Sequence, residues 1–252
     1  RLTSICFTYL LMSLPLLNAH VALAGYADLP LGVVYLAALG ALLHGLQDRE
    51  PRVLVLALFL AAMATQVKHE GFFWALTLLP VAAVYTMPRR VVLGLLLAAG
   101  LAVIPVVLFF PRDLTVAGHS LETLQLAYDR RAVPALLLQF VLNIWHLLAL
   151  VVSGAAVLYL VRARRDLALT ALGSALLLAV FLYLFLFTYT RFSYGAVNLT
   201  AAPRVGLHLA PALLFFAMLV WQRTADRFRE TSPVPSGERA PDRSREASGS
   251  GK

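Results

Sequence analysis

The feature that most constrains this chain is a series of long apolar segments with almost no charged residues inside them. A helix needs about 20 consecutive apolar residues to cross a bilayer. Segments that approach or exceed this length are Leu2–Ala24, Pro30–Leu46, Val53–Gln66, Gly71–Met87, Val91–Phe110, Pro134–Val161, Leu167–Tyr189 and Val205–Trp221. We therefore predict an all-α, polytopic transmembrane helical bundle of about eight spans.

Composition excludes the ordinary soluble classes. The chain is 60% apolar and 13% charged, whereas soluble domains are about 45–50% apolar and about 25% charged. A formal net charge of +8 can indicate nucleic-acid binding, but the basic residues here lie in short loops and near the C-terminus. Membrane topology accounts for that placement, so we expect no nucleic-acid partner. The single cysteine, Cys6, allows no disulfide framework.

The density of basic residues differs between alternate connections of the predicted spans. One set has seven in three short turns: Arg49, Arg52, Arg89, Arg90, Arg162, Arg164 and Arg165. The other set has six, spread over longer connections that also contain acids: Lys68, Arg112, Arg130, Arg131, Arg191 and Arg204. Because short cytoplasmic loops are enriched in Lys and Arg, we predict that the first set is cytoplasmic and that the second set faces outward.

Two regions are predicted. Residues 1–222 form the transmembrane domain, and residues 223–252 form a disordered cytoplasmic tail rich in Pro, Ser, Gly, Arg and Glu, which cannot bury enough apolar surface to fold. The sequence starts at Arg1, directly before an apolar segment, and shows no signal-peptide cleavage pattern. We expect it to be the C-terminal portion of a longer membrane protein.

The longer and more polar connections are the predicted outer ones, so we expect the chemistry on that face. Asp28 follows an outer turn that Gly25 and Pro30 bracket, with His20 shortly before it. As an N-cap, Asp28 would stabilise the next helix by about 1 kcal/mol. A lone carboxylate at the interface is also a candidate functional group, and the spacing does not decide between the two interpretations.

A second outer feature is the run of titratable residues Lys68, His69 and Glu70, which ends at Gly71. One interpretation is an interfacial turn with a snorkelling lysine. The other is an ammonium group held at head-group depth to bind a lipid phosphate. We favour the second interpretation, because the chain has so few other charges.

The beginning of the last span carries a further cation. Arg204, His208 and Pro211 share one helical face at its outer end. The Arg204 guanidinium can form a bidentate pair with a phosphate, or it can anchor the helix at the interface.

Two other polar groups have simpler interpretations. Gln139, Asn143 and His146 lie on one face of the sixth predicted span, a pattern that hydrogen bonding between helices explains. His119 and Glu122 in an outer loop are a possible metal-ligand pair, although two such residues are a weak signal.

In this order, the outer motifs resemble the GT-C glycosyltransferases, and in particular the branch related to protein O-mannosyltransferases and lipid A aminoarabinose transferases. The similar segments are Gly25–Pro30, Lys68–Gly71, and Ala202-Pro203-Arg204 through Pro211. The resemblance extends over about residues 15–215. It implies a multi-pass protein of the bacterial plasma membrane whose active face is outward.

The resemblance also implies a reaction and residue roles. A sugar would move from a polyprenyl-phosphate donor to an acceptor that the sequence does not identify. Asp28 would match an acidic residue near the donor or near a divalent metal ion, and Lys68 and Arg204 would face the donor phosphate. The family's principal catalytic acid lies on an outer loop after the first span. No acidic loop of that kind precedes Leu2, so we expect it to be absent from this chain.

Two alternatives remain open from the sequence. The first is a non-enzymatic transporter or flippase of lipid-linked saccharides, although such proteins place polar groups at the bilayer midplane. The second is a structural subunit of an envelope complex, in which the charged residues act only as anchors.

Overall fold

The structure is a computed structural model that describes residues 2–22, 27–88, 90–94, 97–98, 115–116, 119–120, 128–139, 146–163 and 166–231. The first helices are α1 (Leu2–Met12), α2 (Pro15–Ala22), α3 (Asp28–Gln47), α4 (Pro51–Val67) and α5 (Gly71–Thr86). A two-residue antiparallel pair follows, β1 (Thr115–Val116) and β2 (His119–Ser120). The later helices are α6 (Ala132–Leu138), α7 (His146–Leu158), α8 (Leu167–Tyr189), α9 (Ser193–Val197) and α10 (Ala201–Thr231), and a π-helical turn at Tyr159–Ala163 extends α7.

The helical fold expected from the sequence is confirmed for the described residues. Within the described residues, three helices are long and apolar enough to cross a bilayer: Asp28–Gln47, Leu167–Tyr189 and Ala201–Phe228. Shorter apolar helices are Leu2–Met12, Pro51–Val67, Gly71–Thr86 and Leu148–Arg162. The total of eight spans and their orientation stay predictions.

The first predicted span, Leu2–Ala24, is divided into α1 and α2 at Pro15. Proline has no backbone N–H and disfavours helical geometry in the residue before it, so the helix ends ahead of it. Pro15 then becomes the first residue of α2, a position that suits its fixed φ.

The later predicted spans differ more in their limits. Of Pro134–Val161, the structure describes α6 and α7, and residues 140–145 lie outside the described part. Of Val91–Phe110, residues 91–94 and 97–98 are described, and they are helical.

The predicted start of the tail, residue 223, is too early, because α10 continues through Thr231. Side chains hold this extension against the turn that precedes α8. Arg223 Nε lies 3.5 Å from Asp166 Oδ2, and the Arg162 guanidinium lies 4.6 Å from the centre of the Phe228 ring. Residues 232–252 of the predicted tail lie outside the described part.

The core is centred on α3, which packs against α4, α5, α8 and α10. Small buried residues such as Ala38, Ala175 and Ala210 let the helix backbones approach closely. The backbones of α3 and α10 lie close together at Gly32, where an added Cβ would lie 3.3 Å from the carbonyl oxygen of His208. This contact brings the start of α10 against the start of α3.

Candidate functional site

Four helix ends meet at one end of the bundle, and each contributes a charged residue. Asp28 is the first residue of α3, Lys68 directly follows α4, Glu70 directly precedes α5, and Arg204 lies in the first turn of α10. The helix dipole favours an anion at the start of α3 and a cation at the end of α4. The local folding of three separate segments therefore places these charges at the same level of the bundle.

The turn between α4 and α5 depends on Gly71. An added Cβ at this position would lie 1.9 Å from the carbonyl oxygen of Ala64, in the last turns of α4. The backbone N–H of Gly71 also donates to the carbonyl oxygen of Lys68 at 2.9 Å. This tight reversal brings Lys68 Nζ within 3.1 Å of Glu70 Oε1. The glycine of the motif is thus a steric requirement of the turn.

The Asp28 carboxylate is the centre of the cluster. Lys68 Nζ donates to its Oδ1 at 2.6 Å, and Arg204 donates to Oδ2 from Nε at 3.1 Å and from Nη2 at 2.9 Å. His208 Nε2 lies 2.9 Å from Oδ1. Residues that are 40, 176 and 180 positions away in sequence therefore converge on one side chain.

A second layer of buried aromatic and polar groups lies against the cluster. Trp74 Nε1 donates to His208 Nδ1 at 3.2 Å. The Thr77 hydroxyl donates to the carbonyl oxygen of Trp74 at 2.7 Å and lies 2.9 Å from the Tyr35 hydroxyl. Trp74, Thr77, Tyr35 and His208 are all buried.

Burial increases from the cations to the central carboxylate. The side chains of Arg204, Lys68 and Glu70 are 41%, 23% and 26% exposed, whereas those of Asp28 and His208 are 0% exposed. The two cations and the two carboxylates balance in charge. Lys68 and Arg204 are therefore partly accessible cations that pair with a fully buried carboxylate, that of Asp28.

The structure brings together five of the candidates from the sequence: Asp28, Lys68, Glu70, Arg204 and His208. It does not decide their roles, which stay predictions.

The remaining candidates lie elsewhere or outside the described part. His69 is exposed in the turn between α4 and α5, His20 lies in α2, and His119 pairs with Val116 across the two short strands. Glu122 is outside the described residues.

Of the three polar residues on one face of the sixth predicted span, Gln139 has a hydrogen-bond partner within the described residues. Gln139 Nε2 donates to the Tyr183 hydroxyl of α8 at 3.3 Å, and Tyr183 donates to the carbonyl oxygen of Ala202 in α10 at 3.0 Å. This is the hydrogen bonding between helices that was predicted for Gln139. Asn143 lies outside the described residues.

The layer formed by Tyr35, Trp74 and Thr77 was not predicted from the sequence. A signal was present, because Tyr35 is seven residues after Asp28 and Thr77 is three residues after Trp74. Both spacings place the paired residues on one helical face. Tyrosine and tryptophan in a largely aliphatic helix carry polar atoms that require partners when buried.

The surroundings of Asp28 do not suit a divalent metal ion. Metal sites of this kind combine several carboxylate, imidazole or water ligands, whereas both Asp28 oxygens here contact cationic groups. In the described part of the chain, no group of three or more His, Cys, Asp or Glu side chains is placed to hold a metal ion.

Comparison with known protein families, with curated proteins and with solved structures gave no match to this chain.

Proposed function

We propose that this chain belongs to a membrane glycosyltransferase of the GT-C type, which transfers a sugar from a polyprenyl-phosphate donor to an acceptor on the outer face of the membrane. One observation supports the proposal above the others. The three short segments that carry the resemblance meet in one cluster, in which Lys68 and Arg204 both pair with Asp28. Residues 40 and 176 positions from Asp28 have no reason in local sequence to converge there.

The position of the cluster suits a lipid phosphate. It lies at helix ends, where the head group of a polyprenyl phosphate would be found, and Lys68 and Arg204 are its partly accessible cations. A long side chain at a helix end reaches the interface without crossing hydrocarbon. Arginine can also bind a phosphate through two parallel hydrogen bonds.

In the proposed reaction, the acceptor hydroxyl oxygen forms a bond to the anomeric carbon while the bond from that carbon to the phosphate oxygen breaks. A carboxylate takes the acceptor proton as general base. Lys68 and Arg204 stabilise the negative charge that develops on the departing phosphate. Preorganised cations of this kind are among the largest contributors to catalysis in sites that exclude water.

The location of the cluster favours an enzyme over a transporter. Secondary transporters place their binding groups near the bilayer midplane, commonly at interrupted helices. Asp28, Lys68 and Glu70 instead lie at the ends of α3, α4 and α5.

The proposal is tested by binding of a polyprenyl-phosphate-linked hexose or pentose to the full-length protein in lipid nanodiscs. We expect Lys68→Ala and Arg204→Ala each to weaken donor affinity about 10- to 100-fold, because each removes a charge-assisted hydrogen bond. The double variant should lose less than the sum of the two single losses, since both cations share one anion. Arg204→Lys should recover part of the affinity, because it keeps the charge but not the planar fork.

Arg191→Ala is the matched control, because Arg191 is an exposed arginine in the turn between α8 and α9. It should bind the donor normally. Normal affinity in both single variants, or strictly additive losses, would contradict a shared phosphate and leave two interfacial anchors.

A second measurement separates transfer from transport. Sealed vesicles that contain the protein and a donor with a labelled sugar are followed for two products. Release of free polyprenyl phosphate identifies glycosyl transfer. Movement of the intact donor between leaflets, without cleavage, identifies a flippase and overturns the enzymatic proposal.

A further inference from the structure

The hydrogen bond from Trp74 determines the protonation of His208. An indole nitrogen only donates, so His208 Nδ1, which lies 3.2 Å from Trp74 Nε1, must accept. Nδ1 therefore carries no proton. A neutral imidazole with an unprotonated Nδ1 carries its proton on Nε2, so Nε2–H donates to Asp28 Oδ1 across the 2.9 Å contact. The imidazole is neutral, and it has one defined tautomer.

This assignment completes the set of donors around Asp28. Oδ1 accepts from Lys68 and His208, and Oδ2 accepts twice from Arg204. A carboxylate has about four lone-pair positions, so these four donors fill them. The side chain is also 0% exposed. A carboxylate in this state has neither an open lone pair nor access for an incoming hydroxyl proton.

From this geometry we infer that Asp28 is a positioning residue and that Trp74 and His208 are its support. Trp74 fixes His208, His208 donates to Asp28, and Asp28 holds Lys68 and Arg204 on its two separate oxygens. The inference rests on the proposed function, and it narrows the role of Asp28 within it. The proton of the acceptor then goes to a different carboxylate, while Asp28 sets the spacing of the cations that receive the phosphate.

The kinetic test uses Asp28→Asn in the full-length protein, with a polyprenyl-phosphate-linked sugar as donor. Asparagine keeps one oxygen acceptor but directs an amide donor at the cations. We expect the donor KM to rise about 10- to 100-fold, because two charge-assisted contacts lose their geometry. We expect kcat to fall together with it, because the same two cations stabilise the departing phosphate. General-base catalysis contributes about 10²–10⁴-fold. A fall in kcat of that size at an unchanged KM would overturn the inference.

The structural test observes the imidazole directly and requires no activity. Solid-state NMR of the protein with ¹⁵N-labelled histidine, in lipid at neutral pH, reports the tautomer of each of the six histidines. The His208 signal is the one that disappears in His208→Gln. If that variant does not fold, contact with a ¹⁵N-labelled tryptophan indole assigns the signal instead. We expect a neutral imidazole protonated on Nε2.

Trp74→Phe should change this signal, because Nδ1 loses its donor while the aromatic ring remains. A mixed tautomer or a doubly protonated ring is expected, together with weaker donor binding. Tyr35→Phe is the matched control, since it removes a hydroxyl from the same buried layer whose partner is the Thr77 hydroxyl. An Nδ1-protonated or charged His208 in the wild-type protein, or an unchanged signal in Trp74→Phe, would overturn the inference.

Failure of the two proposals can be told apart. A wild-type protein that neither binds nor cleaves the donor defeats the proposed function. In that case the Lys68 ammonium still reports on Asp28, because the chain has only two lysines, Lys68 and Lys252. An unchanged Lys68 ¹⁵Nζ signal in Asp28→Asn would show that Asp28 does not position it.

Discussion

At the residue scale, Gly71 shows how one small side chain controls a charged site. It lies between a lysine that ends one helix and the helix that follows, and its Cα faces the backbone of Ala64. Any larger residue must push α4 and α5 apart at this point. The same movement would separate Lys68 from Glu70 and from Asp28.

We therefore predict that Gly71→Ala destabilises the protein by at least about 2 kcal/mol, because the added methyl cannot fit 1.9 Å from a carbonyl oxygen. Gly40→Ala is the control, since an added Cβ there meets nothing within 4 Å. In the middle of α3, alanine should stabilise the helix by about 0.5–1 kcal/mol. Thermal unfolding of both variants in detergent makes the comparison. Equal midpoints would contradict the steric explanation.

Asp28 contributes both to the packing of the helix ends and to the charge balance of the cluster. Removing one member of an ion pair costs about 3–5 kcal/mol where the charge left behind is buried, and less where it is partly exposed, as Lys68 and Arg204 are. Here the loss of Asp28 would affect both Lys68 and Arg204.

We predict that Asp28→Ala lowers stability more than Lys68→Ala does. The difference arises because Lys68→Ala still leaves Arg204 and His208 on the carboxylate. Unfolding midpoints of the two variants, each with its expression level, test this order. The reverse order would show that the carboxylate itself is the unfavourable member of the cluster.

At the scale of elements, the beginning of α8 and the end of α10 are joined at the opposite end of the bundle. Asp166 Oδ1 accepts from the backbone N–H of Leu169 at 3.1 Å and so caps α8. Its other oxygen, Oδ2, lies 3.5 Å from Arg223 Nε. One side chain thus caps the start of α8 and pairs that helix with α10.

The two roles of Asp166 can be separated by substitution. Asp166→Ala removes the cap and the ion pair, and should cost about 1–2 kcal/mol. Asp166→Asn keeps a capping oxygen and loses only an ion pair whose Arg223 side chain is 47% exposed, so it should cost less than about 1 kcal/mol. The measurement is the unfolding midpoint of each variant. An Asn variant as unstable as the Ala variant would assign the stability to the ion pair.

At the scale of the whole molecule, apolar length alone predicted the limits of α8, and it predicted α3, α4 and α5 to within about two residues. Each of those segments has a charged or turn-forming boundary, which is a local signal. The signal for the helix break at Pro15 was also local, but the break was not predicted, because the flanking residues are equally apolar. The extension of α10 to Thr231 depends on contacts with Arg162 and Asp166, which only the tertiary structure supplies.

The cluster was predictable in part. A charged residue in apolar surroundings has a large free-energy cost and is therefore rare. For this reason, Asp28, Lys68 and Arg204 were identified from the sequence. The convergence on Asp28 was not predicted, because pairing over 176 positions depends on how the helices pack. Trp74 was missed for the same reason, since its partner His208 lies 134 positions away.

The orientation in the membrane is a further prediction for the whole molecule. After Cys6→Ser removes the native thiol, cysteines are introduced at Asp48 and Tyr194, which are exposed at opposite ends of the bundle. The arginine distribution places Asp48 in the cytoplasm and Tyr194 outside. A membrane-impermeant maleimide applied to intact cells should label only the cysteine at position 194. Labelling at position 48 alone would invert the topology and move the proposed site to the cytoplasmic face.

The distance in sequence between Asp28 and Arg204 also has a consequence for synthesis. At roughly 5–20 residues per second, Arg204 is made roughly 10–35 s after Asp28, to which it is later bound across 176 positions. During that interval α3 can enter the bilayer with only Lys68 available to neutralise its carboxylate. Assembly is then completed by α10, which brings both Arg204 and His208. Ribosomes stalled before α10 should therefore hold nascent chains in which α3 is still exposed to quality-control proteases.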